Sequence, residues 1–214
     1  MNVINNYLSI QEYIKNNKLT NIKVISVSKT FPEEKILPLL TNGNIHFGEN
    51  KVQEAEGKWL TLKKDFPLSK LHMIGKLQSN KAKKALEIFD YIHSLDSQKL
   101  ADVLSNAQSL TGKKIKYFIQ VNVGMESQKG GMQKNLVDDF FTYCTKERNL
   151  DVIGLMAIPP NDGNEEKHFK YLYEANASLG LKELSIGMSS DYKTALKYNA
   201  TFIRIGSLIF GTRS

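Results

Sequence analysis

Val24-Ile25-Ser26-Val27-Ser28-Lys29-Thr30 is a run of small and β-branched residues that delivers one lysine at its end, two residues before Pro32. Such a run suits a strand covered on both faces, the kind found in parallel sheets. With a period of two, Ile25, Val27 and Lys29 share a face, so the amine leaves the sheet on the side where the branched residues pack. Desolvation there disfavours the ammonium form and makes the amine able to form a Schiff base with an aldehyde. The alternative is that Lys29 simply ends its strand in water, as most of the 26 lysines in the chain must.

Working outward, the same pattern repeats. Apolar spacing predicts a helix over Val3–Asn17, then the strand ending at Lys29, and a helix from Pro32 to Leu40 stopped by Asn42-Gly43. Further strands are expected at 44–47, 71–75, 91–95, 115–123, 152–158, 184–186 and 201–205, each followed by a helical stretch, with Asp96 or Ser97 capping the fifth of these helices. Eight strand–helix units in 214 residues close most economically into a single (β/α)8 TIM barrel spanning 1–214, with its site where the strands end. An open doubly wound sheet would place a Gly-rich dinucleotide loop after strand one, and Ser28-Lys29-Thr30-Phe31-Pro32 is not one.

Composition narrows the function classes. Hydrophobic residues make up 41% and charged residues 24%, which suits a soluble globular protein. No signal-like leader or apolar run of eighteen residues is present, so a cytoplasmic location and no membrane partner are expected. Cys144 is the only cysteine, which rules out an internal disulfide; its aromatic surroundings predict a buried thiol. The net charge of +7 is nearly all lysine, scattered in short clusters with only three arginines and no aromatic interleaving. The clusters read as solvated faces, and no nucleic-acid partner is expected. His46 and Glu49 lack further His or Cys at ligand spacing, so no metal is expected; His72, His93 and His168 are scattered, and His72, inside a strand, reads as a hydrogen-bonded core residue.

Residues just past the expected strands would share one mouth: Lys29, Asn50, Gln78, Asn80, Asn122, Lys129, Met156, Ser189, and Arg204 with Gly206-Ser207. Gly187-Met188-Ser189-Ser190 and Gly206-Ser207 each precede a helix, the arrangement in which such barrels hold a phosphate on free N–H groups. Arg204 stands inside the apolar strand Phe202-Ile203-Arg204-Ile205, where an unpaired cation is costly. It either meets a structural carboxylate or donates to a ligand, most simply to a ring nitrogen.

The motifs Ser28-Lys29-Thr30, Phe47-Gly48-Glu49-Asn50, His72-x-Ile74-Gly75-x-Leu77-Gln78, Asn122-x3-Glu126-x2-Lys129, Gly154-Leu155-Met156-Ala157-Ile158-Pro159, Gly187-Met188-Ser189 and Arg204-Ile205-Gly206 resemble the YggS/PROSC family of pyridoxal phosphate homeostasis proteins across nearly the whole chain. The resemblance implies a barrel like the N-terminal domain of alanine racemase, with pyridoxal 5'-phosphate as cofactor in Schiff-base linkage to Lys29. It places Arg204 near the pyridine nitrogen and Asn50, Met188, Ser189, Gly206 and Ser207 around the cofactor. Ser207 stands where the family has Thr, and Lys51 stands where an aromatic is expected, so ring contacts there should differ. A racemase needs a second base from a further domain, and an arginine at the ring nitrogen weakens the cofactor as an electron sink. The expected function is therefore intracellular cofactor homeostasis and delivery by a monomer without turnover, with apo-enzymes as recipients and Lys129 either a transient acceptor or a solvated loop residue. A compact racemase and an RNA-binding protein are the competing readings.

Overall fold

The computed structural model describes residues 2–126 and 130–212. In chain order the elements are α1 (Val3–Asn16), β1 (Lys23–Val27), α2 (Glu33–Thr41), β2 (His46–Glu49), α3 (Val52–Asp65), β3 (Lys70–Met73), α4 (Ala82–Ile88), β4 (Tyr91–Leu95) and α5 (Gln98–Thr111). They continue with β5 (Lys116–Gln120), α6 (Val137–Thr142), β6 (Asp151–Met156), α7 (Glu165–Ser178), β7 (Glu183–Met188), α8 (Tyr192–Lys197), β8 (Phe202–Ile205) and α9 (Ser207–Phe210). All eight strands are parallel, and β8 closes on β1 with Arg204 opposite Ile25, so the sheet is the expected barrel. Among the described residues no helix is long and apolar enough to cross a membrane.

The strand faces divide two cores. Val24, Phe47, Leu71, Ile92 and Ile203 point outward and pack under the helices, whereas Ile25, Val27, Ile74, Phe118, Met156 and Phe202 fill the barrel. Gly48 is small because that interior is crowded: a Cβ there would come within 2.9 Å of Ile25 Cγ2. Asn6 of α1 donates to Ile209 O of α9 at 2.9 Å, tying the first helix to the last. Cys144 is buried as expected, and burial pushes its thiol up to about 12. Ser97, not Asp96, caps α5.

Strands three, five and six end earlier than the sequence reading, at Met73, Gln120 and Met156, and two further differences matter for the site. β1 ends at Val27, because Thr30 takes a left-handed conformation (φ +68°) and Phe31 N donates to Ser28 O, so Lys29 lies in a tight turn. β2 runs two residues later than expected, since Gly43 at φ +86° prolongs the turn after α2 while Gly48 and Glu49 pair with β3.

Candidate functional site

Lys29, Asn50, Met188, Ser189, Arg204, Gly206 and Ser207, the seven site residues expected from the sequence, line one cavity of about 380 Å³ at the C-terminal mouth of the barrel. Val27, Ile74 and Ile158 supply apolar walls. The loops after β1, β2, β7 and β8 meet here because parallel strands release their chains at the same end. Gly75 lets Asn50 sit close: a Cβ at position 75 would lie 2.4 Å from Asn50 O.

The Lys29 turn is held by side chains of α3. Lys58 Nζ donates to Ser28 O at 3.1 Å and Phe31 O at 3.3 Å and pairs with Glu49 Oε1 (2.8 Å) and Glu54 Oε1 (2.9 Å). Glu54 also accepts from Thr30 N, while Glu49 accepts from Ser28 Oγ at 2.7 Å and Trp59 Nε1 at 3.1 Å. The turn that presents the amine is thus bonded at Ser28, Thr30 and Phe31, and Phe31 stacks on Phe210 with centroids 4.9 Å apart. Sequence reasoning missed this support; the only signal was a lysine and two carboxylates at spacings that become meaningful once α3 lies behind β1.

Arg204 is nearly fully buried, yet among the described residues it has no carboxylate at ion-pair distance. NH1 donates to Ser185 O and Ser185 Oγ, both at 2.7 Å, and NH2 donates to Ala157 O at 2.8 Å. The structural carboxylate considered from sequence is therefore replaced by neutral oxygens. Burial lowers its pKa to about 10, partly offset by Asp191, so the group is a cation at neutral pH. Asp191 is itself occupied, accepting from Met188 N at 2.6 Å.

Ser189 Oγ accepts from Gly206 N at 3.3 Å and Leu208 N at 3.4 Å. A serine oxygen thus already stands over amides that start α9, beside exposed Ser207. Gly187, at φ +92°, lets this loop press on α8, where a Cβ would meet Ala195 Cβ at 2.7 Å.

Other residues grouped at the mouth from sequence fall elsewhere. Met156 lies inside the barrel core, and Asn122 braces its own loop through Glu126 O at 2.8 Å. Gln78 joins Lys51, Lys76 and Lys81 around a neighbouring depression, so Lys51 faces away from the central walls. Asn80 sits in the turn Ser79–Lys81 outside the cavity. Lys129 lies outside the described residues.

A parallel eight-stranded barrel with an amine, a guanidinium and two serine-bearing glycine loops at one mouth defines a class: the family model for the alanine racemase N-terminal domain matches residues 2–214. Within that class the chain belongs to the family of pyridoxal phosphate homeostasis proteins. It is 38% identical over 200 residues to the pyridoxal phosphate homeostasis protein of Aquifex aeolicus (strain VF5), covering 89% of this chain and 87% of the relative. With the Escherichia coli (strain K12) protein of that name the identity is 34% over 202 residues, covering 90% and 86%. The structure of PipY from Synechococcus elongatus PCC7942 with PLP bound superposes with a TM-score of 0.89 at 33% identity, covering 98% of this chain and 100% of that one. Alanine racemase of Clostridium difficile 630 shares the fold alone, with a TM-score of 0.76 at 14% identity; the chain covers 57% of its length.

Proposed function

We propose that this chain binds pyridoxal 5'-phosphate in the mouth of the barrel, with Lys29 Nζ as the amine that condenses with the aldehyde in Schiff-base linkage. The observation that carries the reading is a single cavity holding a turn-mounted lysine and, across from it, a buried cation bonded only to neutral oxygens. The donor set fits the group: an amine for the aldehyde, a guanidinium for the ring nitrogen, and Ser189, Gly206 and Ser207 for the phosphate, between walls from Ile74, Ile158 and Met188. Asn50, which lines the same cavity, would contact the ring. When bound, the cofactor supplies an aldehyde that forms a reversible C=N bond to an amine with loss of water.

The chain's own residues define what happens around it. Lys58, Glu49 and Glu54 keep the Lys29 turn fixed, so the amine reaches the cavity from one direction. Arg204 cannot surrender a proton at neutral pH, so a ring nitrogen facing it stays an acceptor, and the cofactor remains a poor electron sink. The site therefore suits holding and handing over the cofactor without turnover, inside the cell, as a monomer with apo-enzymes as recipients and Lys129 as a transient acceptor. The names of the relatives, homeostasis proteins and not racemases, support the same reading.

The test is the absorbance spectrum of the protein incubated with pyridoxal 5'-phosphate, before and after borohydride, beside Lys29→Ala. A visible band that borohydride traps on Lys29, and that the variant lacks, is expected. No band in the parent protein would end the proposal. Solvent deuterium entering the α position of added alanine would replace the carrier with a compact racemase.

A further inference from the structure

Five inward-facing side chains are joined end to end across the barrel. His46 Nδ1 lies 2.9 Å from His72 Nε2, His72 Nδ1 lies 2.9 Å from His93 Nε2, and His93 Nδ1 lies 2.9 Å from Ser185 Oγ, the oxygen that accepts from Arg204. The register builds this line as a staircase. Gly48 stands opposite His72 and His72 opposite Tyr91, so His46, His72 and His93 each sit one inward position higher than the last. Half-buried His46 opens toward the lower mouth, while His72 and His93 are fully buried, stacked on Tyr91 at 4.3 Å and on Phe118 at 4.2 Å. Among the described residues no three His, Cys, Asp or Glu side chains form a metal site.

The line has a direction, and Arg204 sets it. A guanidinium only donates, so Ser185 Oγ must accept from it. The hydroxyl's other partner among the described residues is His93 Nδ1, so its own proton goes there. That makes His93 the Nε2–H tautomer, which donates to His72 Nδ1, and His72 in turn donates from Nε2 to His46 Nδ1. Reversing the line would turn the Ser185 proton onto the guanidinium or leave it unpaired in a buried site. Burial also keeps His72 and His93 neutral, with pKa values well below the usual imidazole range.

We infer that His93, held in its Nε2–H tautomer by His72 and His46, is a positioning residue for Arg204: by taking the Ser185 proton it turns the hydroxyl oxygen toward the guanidinium that faces the cofactor. The inference rests on the cofactor reading above. Three guanidinium hydrogens go to Ser185 O, Ser185 Oγ and Ala157 O, and two are left for the ring. Losing the Ser185 Oγ bond removes one of these three and loosens how the guanidinium is held, while the two carbonyl bonds remain.

The experiment has two arms at pH 7.5. The first is a two-bond proton–nitrogen correlation spectrum of histidine-labelled protein without cofactor. His46, His72 and His93 are expected as Nε2–H tautomers; an Nδ1–H tautomer at His93 overturns the inference. The second compares pyridoxal 5'-phosphate affinity and band position for His93→Leu and His93→Gln. Leu fills space but cannot accept, whereas the Gln carboxamide can accept from Ser185 and donate to His72. His93→Leu is expected to bind about tenfold more weakly with a shifted band, and His93→Gln within about twofold of the parent. Should His93→Leu not fold, Ser185→Ala carries the same expected loss. Affinity unchanged in the Leu or Ala variant, or equally poor in Leu and Gln, overturns it. A parent protein that binds no cofactor would sink the cofactor reading and this assignment of Arg204 together, while the tautomers still decide whether Arg204 polarises the line.

Discussion

The two halves of the barrel interior are built from the same eight strands and do opposite things. In the lower half Phe202 sits among His46, His72, His93, Tyr91 and Phe118, with ring centroids 5.3–5.9 Å away. In the upper half the inward positions carry aliphatics, glycine and a lysine, and the space between them is the cavity. Both halves contain cations and hydrogen-bonded polar groups. The difference is that the lower half joins its histidines to one another, whereas in the upper half Lys29 and Arg204 line an open cavity. A barrel core that is filled below frees the loops above from supporting the fold.

The contrast breaks most visibly if the lower half is hollowed. Phe202→Ala removes the ring at the centre of five aromatic contacts and should lower unfolding free energy by about 3–5 kcal/mol. Ile158→Ala at the upper mouth, where the side chain is 38% exposed, should cost less than about 1 kcal/mol. Urea melts of the two variants compare them directly. Equal losses would mean that the upper walls carry the fold as much as the lower core does.

How much of this was legible in the sequence follows the same division. Strand and helix alternation, and with it the barrel, could be read because each unit carries its own punctuation: Asn42-Gly43 after α2, Gly112 after α5, Gly180 after α7. The upper site was legible in part: parallel strands deliver their next residues to one mouth, which brings Lys29, Asn50, Ser189, Arg204, Gly206 and Ser207 together. The same rule also nominates Gln78, Asn80, Asn122 and Met156, which fall elsewhere, and it takes the family resemblance to sort them. The lower half was not. In the sequence His72 and His93 look scattered, and His46 bears only on metal ligation, because spacing within strands says nothing about stagger between strands; the staircase exists only once β2, β3 and β4 are in register. Lys58 and Glu54 escaped for the related reason that α3 reaches back over the turn of the preceding unit.

Acid should act on the lower half next. Burial holds His46 down at about 4, helped by Lys23 and Lys70 and opposed by Asp90 and Glu183, and holds His72 and His93 well below the ordinary value. In the unfolded chain these imidazoles take up protons near pH 6.5, whereas in the fold they stay neutral far below that. Between about pH 6.5 and 4 the unfolded state binds more protons, so stability falls as pH falls, by at most about 1.4 kcal/mol per histidine per pH unit. Urea midpoints at pH 7.5 and 5.5 should differ accordingly, and His46→Gln should remove about a third of the loss if the three histidines contribute alike. A midpoint that does not move with pH would mean the histidines take up protons in the fold as readily as in the unfolded chain.

The smallest effect belongs to the lower rim. Lys23 Nζ pairs with Glu183 Oε1 at 2.9 Å and lies 4.6 Å from the centroid of the Phe202 ring, with both charged side chains about a quarter to a third exposed. Water and salt screen such a pair, so a double-mutant cycle of Lys23→Met and Glu183→Gln should give a coupling below about 1 kcal/mol, shrinking further in high salt. Lys23 nevertheless has a second role that the cycle does not see. Its charge opposes protonation of His46, so Lys23→Met should raise the His46 pKa and make that histidine's share of the acid loss smaller, levelling off at a higher pH, even where neutral-pH stability is nearly unchanged. A variant with large loss at pH 7.5 and an unaltered acid profile would reverse that assignment, making the rim a structural clamp and leaving the neutrality of the histidines to burial alone.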